Sequence, residues 1–235
     1  MWKLILGVII TSLLFSCKKK EGESIETHQI NPTFSTLTDI EGNEYKTVVL
    51  DGQEWIAENL RTSTYCNGDS IPYVVSDSQW IELEYGGWSF YENDSSYNKP
   101  FGKIYNFHAV EDERNICPCG WRVPNKEDWN KLITYLGGDI VAGGKLKSTG
   151  TEYWQAPNHA ATNESSFNAL PTGSRSHVDG QYSEPNLFAA FWSDDYTYYG
   201  SFPISSLYRL DYDRGSINKF SGLMQSGFAV RCVKE

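Results

Sequence analysis

The sequence lacks the short motifs that mark common catalytic sites. It contains no His-Glu-x-x-His, no Walker-type phosphate loop, no Gly-x-Ser-x-Gly and no Rossmann glycine run. Its four histidines, His28, His108, His159 and His177, show no metal-ligand spacing. We therefore nominate no catalytic residue and no firm metal site from the sequence.

Positive charge and methionine are also scarce. The 20 lysines and arginines are outnumbered by 30 acidic residues, which gives a formal net charge of −10. Binding to nucleic acid depends on lysine and arginine contacts to phosphate, so we expect no nucleic-acid partner. Only 2 methionines stand beside 15 tyrosines and 8 tryptophans, a composition that favours a β-rich body over a helical bundle.

Long hydrophobic runs are missing except near the start, where Leu4–Phe15 is almost continuously apolar. This run is too short to span a bilayer and is typical of a secretory signal peptide, which we assign to residues 1–16. Leu14–Cys17 resembles a bacterial lipobox, which implies cleavage before Cys17 and a membrane anchor on its lipidated side chain. The alternative is an ordinary signal peptide with a coincidental cysteine.

A charged segment, Lys18–Glu21, follows the lipobox directly. It resembles the export tag of surface lipoproteins in Bacteroidota-type bacteria, and the alternative is a plain solvated tether. We assign residues 17–33 to a lipidated flexible tether and residues 34–235 to one domain. These features predict an outer-membrane lipoprotein of the cell envelope, exposed at the cell surface if the export tag operates.

The best-defined element is a helix predicted over Lys126–Leu136. Asn125 is a good N-cap, and Trp129, Leu132, Ile133 and Leu136 form one apolar stripe. Gly137 and Gly138 then end the helix, because glycine adopts the left-handed C′ conformation without strain. Ile140–Lys147 is predicted as a brief helix or a turn.

Most other regular segments have β character. Tyr45–Leu50 and Gln53–Ile56 flank an Asp51-Gly52 hairpin turn. Further strands are expected at Phe167–Pro171, Ala189–Ser193, Leu207–Asp211, Ile217–Phe220 and Gly227–Val233, and long loops at residues 149–166 and 173–186. In the last strand, Phe228, Val230 and Cys232 should point one way and Ala229, Arg231 and Val233 the other. The fold class is therefore α+β, with twisted antiparallel sheets, one main helix and long irregular loops.

Four cysteines remain in the exported domain, and such a count indicates two disulfides. Cys117 and Cys119 are separated only by a proline and are poorly placed to pair with each other. Two connectivities stay open, because either cysteine can join Cys232 while the other joins Cys66. The Cys-x-Cys spacing with no local histidine makes a redox or metal site the weaker alternative.

Several motifs, in order along the chain, resemble the Fibrobacter succinogenes major paralogous domain. They are Ile40–Lys46, Gln53–Leu60, Gly102–Asn106, Cys117–Pro124, Ala142–Lys147, Ala161–Ser165, Phe167–Pro171, Phe191–Ser193 and Ala229–Val233. The resemblance implies an exported protein, often a lipoprotein, with Cys117–Cys232 as the core disulfide and Cys66–Cys119 as an extra pair. It implies no defined activity.

A more distant resemblance concerns the fold. Gly120–Trp129, with the terminal Gly-Phe-x-x-Arg-Cys segment, is similar to the formylglycine-generating-enzyme branch of the C-type lectin fold. That implies a C-type lectin-like twisted antiparallel sheet with closely spaced termini. The catalytic branch uses a pair of reactive copper-binding cysteines, whereas the cysteines here are better suited to disulfides, so no catalysis is carried over.

Aromatic residues in predicted loops or strand ends are the most suggestive functional feature, because exposed rings can stack on sugars or anchor protein interfaces. We single out Trp154, Tyr196 and Tyr198 as ligand-binding candidates; the set also includes Trp80, Trp88, Tyr182 and Tyr199. The alternative is that these rings cover an irregular core. Asp194 and Asp195 are weak calcium candidates, and so are Asp211 and Asp213, with solvated loop acids as the alternative.

The sequence therefore favours a surface-tethered, non-catalytic binding module for a glycan or a protein. The alternatives are an extracytoplasmic enzyme, either oxidase-like or a hydrolase, and a structural envelope protein. An oxidase would need two free thiols, and a hydrolase would need two carboxylates that converge in one cleft.

Overall fold

A computed structural model of the chain describes residues 29–200 and 202–235. The predicted signal peptide, Cys17 and residues 17–28 of the predicted tether lie outside the described residues. Helices and antiparallel strands are mixed along the described part, which confirms the α+β class. No helix in the described part is both long enough and apolar enough to cross a membrane.

The main sheet of the described chain has five antiparallel strands in the order β1-β2-β3-β12-β6. Their bounds are β1 Thr33–Thr38, β2 Glu44–Leu50, β3 Gln53–Ile56, β6 Trp121–Arg122 and β12 Val233–Lys234. The β2–β3 hairpin is confirmed, with Asp51 and Gly52 both at positive φ in its turn. The short last strand pairs with β3 and β6 and closes the sheet between them.

Strand β1 was not predicted, because we placed residues up to Thr33 in the tether and saw no periodicity as far as Thr36. In the structure its six residues pair in register with β2, from Thr33 opposite Val49 to Thr38 opposite Glu44. Its side chains are almost all exposed, so the strand carries no apolar alternation that a sequence could reveal.

A second sheet has the order β11-β10-β9 among the described residues. Strand β9 spans Phe188–Tyr199, β10 spans Phe202–Asp211 and β11 spans Ile217–Leu223. The three predicted strands exist but are longer, and β9 and β10 extend as a hairpin beyond the core. Only the first half of β9, Phe188–Ser193, is buried.

The remaining elements are short. The strands are β4 Trp88–Ser89, β5 Ile104–Tyr105, β7 Ser174–Arg175 and β8 Tyr182–Ser183, and the helices are α1 Asp77–Ile81, α2 Asn98–Phe101 and α3 Phe107–Val110, with 3-10 turns at Tyr91–Asn93 and Ser95–Tyr97. Phe167–Pro171 is not a full strand, since only Ala169 makes a bridge, to Lys147.

The main helix, α4, spans Lys126–Tyr135 with Leu136 as its C-cap, which confirms the prediction to within one residue. The Asn125 side chain accepts from the Asp128 N–H, and the Asp128 carboxylate accepts from the Asn125 N–H, a complete capping box. Asp128 also accepts from Arg122 on β6 and Gln53 on β3, so the helix start is fastened to the main sheet. Helix α5 follows at Asp139–Leu146.

The C-terminal segment passes between two hydrophobic clusters. Val230 and Cys232 lie in one cluster, while Ala229 and Val233 lie in the other, so the predicted alternation of side chains is present. The predicted continuous strand Gly227–Val233 is wrong, because only isolated bridges at Gly227, Phe228 and Ala229 precede β12. Arg231 shares the direction of Ala229 and Val233 and is itself fully buried. Both faces of this segment are therefore core.

All four cysteines of the described chain form disulfides, Cys117–Cys232 and Cys66–Cys119. The pairing matches the connectivity that the family resemblance implied. Cys117 and Cys232 are buried in the core, whereas Cys119 is exposed.

Candidate functional site

Trp154 is not an exposed ligand-binding residue, and this prediction is wrong. Its side chain is only 1% exposed and lies in the cluster with Trp55 and Trp129. Its indole N–H donates to Ser148 Oγ and to the Ala169 carbonyl, both at 3.1 Å. A tryptophan in a long loop can serve as core when its N–H finds a buried partner, and this loop folds back over the sheets.

Trp80 and Trp88 are likewise core residues, because each is buried and donates its indole N–H to a backbone carbonyl. Tyr182 is half-buried, and its hydroxyl donates to Asn93 Oδ1. For these four aromatic side chains the structure supports the alternative that they cover an irregular core.

Tyr196, Tyr198 and Tyr199 are exposed, at 54%, 64% and 79% respectively. They lie on the outer half of the β9–β10 hairpin, beyond the buried half of β9. Tyr196 pairs with Ser205, Tyr198 with Pro203 and Tyr199 with Phe202 across the hairpin. The structure thus brings two of the three predicted ligand-binding residues together on one projecting element.

A bulge in β9 sets the direction of these rings. Trp192 pairs with Leu207 and Tyr196 with Ser205, so residues 193–195 stand opposite Ser206 alone. Such bulges bend a strand and re-aim the side chains that follow it. The bulge is held by Ser205 Oγ, which donates to the carbonyls of Ser193 and Asp195.

Tyr196 and Tyr198 share one face of β9, because side chains two residues apart point the same way. Their ring centroids are 6.0 Å apart and their planes meet at 76°. Tyr196 also lies 6.3 Å from the ring of buried Phe107, which itself packs against Trp192. A continuous line of aromatic rings therefore runs from the core to the hairpin surface. Tyr199 points to the opposite face.

Asp194 and Asp195 lie within the bulge. Asp195 Oδ2 accepts a hydrogen bond from Ser193 Oγ at 2.7 Å. Desolvation and then the charge of Asp195 raise the pKa of Asp194 to about 6, against the opposing effect of Arg122. Asp211 accepts from Arg209 Nε and Asp213 from Arg214 Nε, so those carboxylates already have cationic partners. In residues 29–200 and 202–235, no three His, Cys, Asp or Glu side chains are grouped to hold a metal ion.

Described residues also bound a cleft that the sequence did not indicate. It has a volume of about 940 Å³. Strands β1 and β2, the segment after β3, the Lys99–Pro100 turn and the loop of residues 163–170 form its walls. Several of its residues, including Glu58, Asn59 and Arg231, belong to the motifs that carry the family resemblance, but their spacing gave no sign that they meet. We call this cavity the β1–β2 cleft.

Two buried guanidinium groups line the β1–β2 cleft. Arg61 donates to Glu58 Oε2 at 2.6 Å and to the Glu44 carbonyl, and it stacks 4.3 Å from the Tyr45 ring. Partial burial raises the pKa of Glu58, but hydrogen bonds from the Lys46 N–H and Arg61 outweigh this and leave the pKa below its usual value. Glu58 is therefore held ionised, which is the wrong state for a general acid.

Arg231 is paired with no carboxylate among the described residues. Its donors go to Asn59 Oδ1 at 2.7 Å and to the carbonyls of Ile56, Phe167 and Asn168. Burial lowers the pKa of its guanidinium to about 9, and the charge of Glu58 offsets part of that effect. The arginine fastens the loop of residues 167–168 to the end of β3.

The remaining candidates for chemistry are the cysteines and the histidines. Both cysteine pairs are disulfides, so the described chain offers no free thiol pair of the kind the oxidase alternative needs. His108 Nδ1 lies 3.0 Å from Oε1 of Glu111, the C-cap of the same short helix, and His177 Nδ1 lies 3.1 Å from Ser226 Oγ.

These features define an α+β, disulfide-linked domain with a projecting aromatic hairpin and a charged cleft. The family model of the Fibrobacter succinogenes major domain matches residues 48–234, and the chain belongs to that family. No curated protein and no solved structure matches the chain.

Proposed function

We propose that the protein is a non-catalytic glycan-binding module of a bacterial surface lipoprotein. The observation that carries the proposal is the pair Tyr196 and Tyr198, two exposed rings on one face of a projecting hairpin. Exposed aromatic faces are apolar surfaces on which sugar rings can stack, while the phenol hydroxyls can hydrogen-bond to sugar hydroxyls.

The setting of the tyrosines favours a glycan over a protein ligand. Thr197, Gly200 and Ser205 on the outer hairpin are polar or small, while Pro203 stands opposite Tyr198 and the exposed Tyr199 follows it in the chain. A stable protein interface needs roughly 800 Å² per partner with an apolar core. The exposed aliphatic side chains of Ile140, Val141 and Val178 lie on other elements, so they do not extend this patch.

The anchor and the location form part of the same proposal. We infer cleavage before Cys17, lipidation of that cysteine and a tether that holds the domain outside the outer membrane. Glycan binding at the hairpin would be independent of calcium, because Asp194 and Asp195 bring no third acidic or histidine ligand from the described residues.

A glycan-array screen of the protein, run with calcium and with chelator, tests the proposal. We expect saturable binding to a limited set of glycans, unchanged by the chelator. Loss of that binding in Tyr196→Ala/Tyr198→Ala, with retention in the exposed control Tyr85→Ala, supports the hairpin site. A blank array from folded protein counts against the proposal, and binding that the chelator abolishes contradicts its calcium-independent form.

A further inference from the structure

The β1–β2 cleft carries an excess of positive charge on a strongly acidic chain. Four cationic side chains line it, against two carboxylates: Lys46, Arg61, Lys99 and Arg231, with Glu44 and Glu58. The whole chain has a formal charge of −10, so the cleft is a local reversal of sign. Clefts lined by one sign of charge concentrate ligands of the opposite sign.

The carboxylates of the cleft do not neutralise both arginines. Glu58 is bound to Arg61, while Arg231 donates only to an amide oxygen and to carbonyls. A buried cation without a carboxylate partner is costly unless another charge or hydrogen bonds compensate it. The cleft therefore keeps an excess of positive charge, and the buried Arg61 Nε is left without an acceptor among the described residues.

The opposite wall of the cleft offers uncharged polar groups on a fixed backbone. Asn163, Ser166 and Asn168 all line it and all have positive φ, at 51°, 55° and 53°. Left-handed non-glycine residues persist where the surroundings hold them and are enriched at binding sites. Here the Asn168 N–H donates to Asn163 Oδ1, and Arg231 holds the carbonyls of Phe167 and Asn168.

The rim of the cleft adds an aromatic ring. Phe34 on β1 is 66% exposed and lines the cavity beside Ser35 and Thr36. Lys46 and Lys99 are exposed at the same rim, whereas Arg61 and Arg231 form the floor. The volume of about 940 Å³ lies within the range of roughly 300–1,000 Å³ that small-molecule sites occupy.

We propose that the β1–β2 cleft binds an acidic sugar, with its carboxylate at the rim lysines and its hydroxyl groups on the asparagine-lined wall. A sugar acid needs an aromatic ring on which it can stack, polar side chains that bind its hydroxyl groups and positive charge that attracts its carboxylate. Phe34, the two asparagines of that wall and the lysines supply these in turn. The modest charge excess suits one or two carboxylates, while the acidic remainder of the chain repels dense polyanions such as nucleic acid. This site is separate from the tyrosine hairpin and does not depend on the function proposed for it.

The test is titration calorimetry of the protein with a galacturonic acid trisaccharide, the galacturonate monosaccharide and a neutral galactose trisaccharide. We expect saturable binding of the acidic ligands, weakened by salt, and binding of the neutral trisaccharide weaker by at least about tenfold. Equal affinity for the acidic trisaccharide and monosaccharide identifies a free sugar acid as the ligand, and preference for the trisaccharide identifies an acidic polysaccharide.

Two matched double variants place the ligand in the cleft. Lys46→Gln/Lys99→Gln is expected to weaken acidic-trisaccharide binding by about tenfold, because both rim charges are lost. Lys131→Gln/Lys219→Gln removes the same charge from exposed sites outside the cleft and is expected to change binding by less than about twofold. Phe34→Ala should weaken binding without changing its salt dependence.

Three results would overturn the proposal: no saturable binding of either acidic ligand, equal binding of the neutral trisaccharide, or equal losses in the two lysine variants. Tyr196→Ala/Tyr198→Ala should bind the acidic trisaccharide as the unmodified protein does. The lysine variants test the cleft proposal and the double tyrosine variant tests the hairpin proposal, so either proposal can fail without the other.

Discussion

At the scale of single residues, Arg231 shows how one buried side chain can organise a site. It links the end of β3 to the loop of residues 167–168 through Asn59 and three carbonyls, and its guanidinium stacks 4.5 Å from the Phe167 ring. The sequence places Arg231 on the same strand face as Ala229 and Val233. It gives no indication that a charged side chain is buried there, because the carbonyls that receive it come from distant segments.

Replacement of Arg231 by methionine should destabilise the protein strongly. Four oxygen atoms lose their donor, so we expect the free energy of unfolding to fall by about 3 kcal/mol. Urea unfolding measures the change, with Arg114→Met as the control, since Arg114 is exposed in its ion pairs with Asp69 and Asp112. The control should lose less than about 1 kcal/mol. If the two variants lose the same free energy of unfolding, the buried hydrogen bonds of Arg231 contribute no more to stability than the exposed ion pairs of Arg114.

Asp194 should make stability depend on pH in a defined direction. Its folded pKa of about 6 is raised above the ordinary value, so between pH 4 and 6 the folded state holds a proton that the unfolded chain has released. The contribution of the Asp194 carboxyl to the free energy of unfolding is fully present below about pH 4 and is lost as the pH rises through 6. Asp194→Asn should therefore have a slightly higher unfolding midpoint than the unmodified protein at pH 7 and an equal midpoint below about pH 4; the difference should be small because the Asp194 side chain is exposed to solvent. If the variant is less stable than the unmodified protein at pH 7, the raised pKa of Asp194 in the folded protein is contradicted.

At the scale of elements, the two disulfides fasten different parts of the fold. Cys117–Cys232 joins the turn before β6 to the end of the buried C-terminal segment, across 115 residues. Cys66–Cys119 joins two surface loops across 53 residues. A longer closed loop restricts the unfolded chain more, and only the first disulfide also fills core space.

Loss of the two disulfides should therefore have unequal effects. Loop length alone makes Cys117→Ala/Cys232→Ala more destabilising than Cys66→Ala/Cys119→Ala by about 0.7 kcal/mol. Loss of buried side-chain volume should widen that difference. Guanidinium unfolding of the two double variants measures it. If the Cys66 and Cys119 variant is the less stable of the two, the assignment of Cys117–Cys232 as the core link is wrong.

The β9–β10 hairpin shows what local sequence can and cannot predict about an element. The buried half of β9 was predicted from its apolar run, but the outer half was not, because its polar and aromatic residues resemble a loop. Its strand geometry comes from pairing with β10 and from the bulge at residues 193–195. Neither feature has a short-range signal.

At the scale of the whole molecule, local signals predicted the α+β class, the main helix and the β2–β3 hairpin correctly. The family resemblance implied the disulfide pairing that the structure shows, while cysteine spacing alone left two connectivities open. Strand β1 and the β1–β2 cleft were missed, because they arise from contacts between distant segments. Trp154 was misassigned because a loop tryptophan that covers a core and one that faces a ligand look alike in sequence.

The central claim is that the hairpin tyrosines form a glycan-binding surface. The most direct measurement is the affinity of the best array glycan for the unmodified protein, Tyr196→Ala/Tyr198→Ala and Tyr85→Ala, by titration calorimetry. Removal of both stacking rings should weaken binding by at least about tenfold in the double variant, with Tyr85→Ala unchanged. Undiminished affinity in the double variant would contradict the claim.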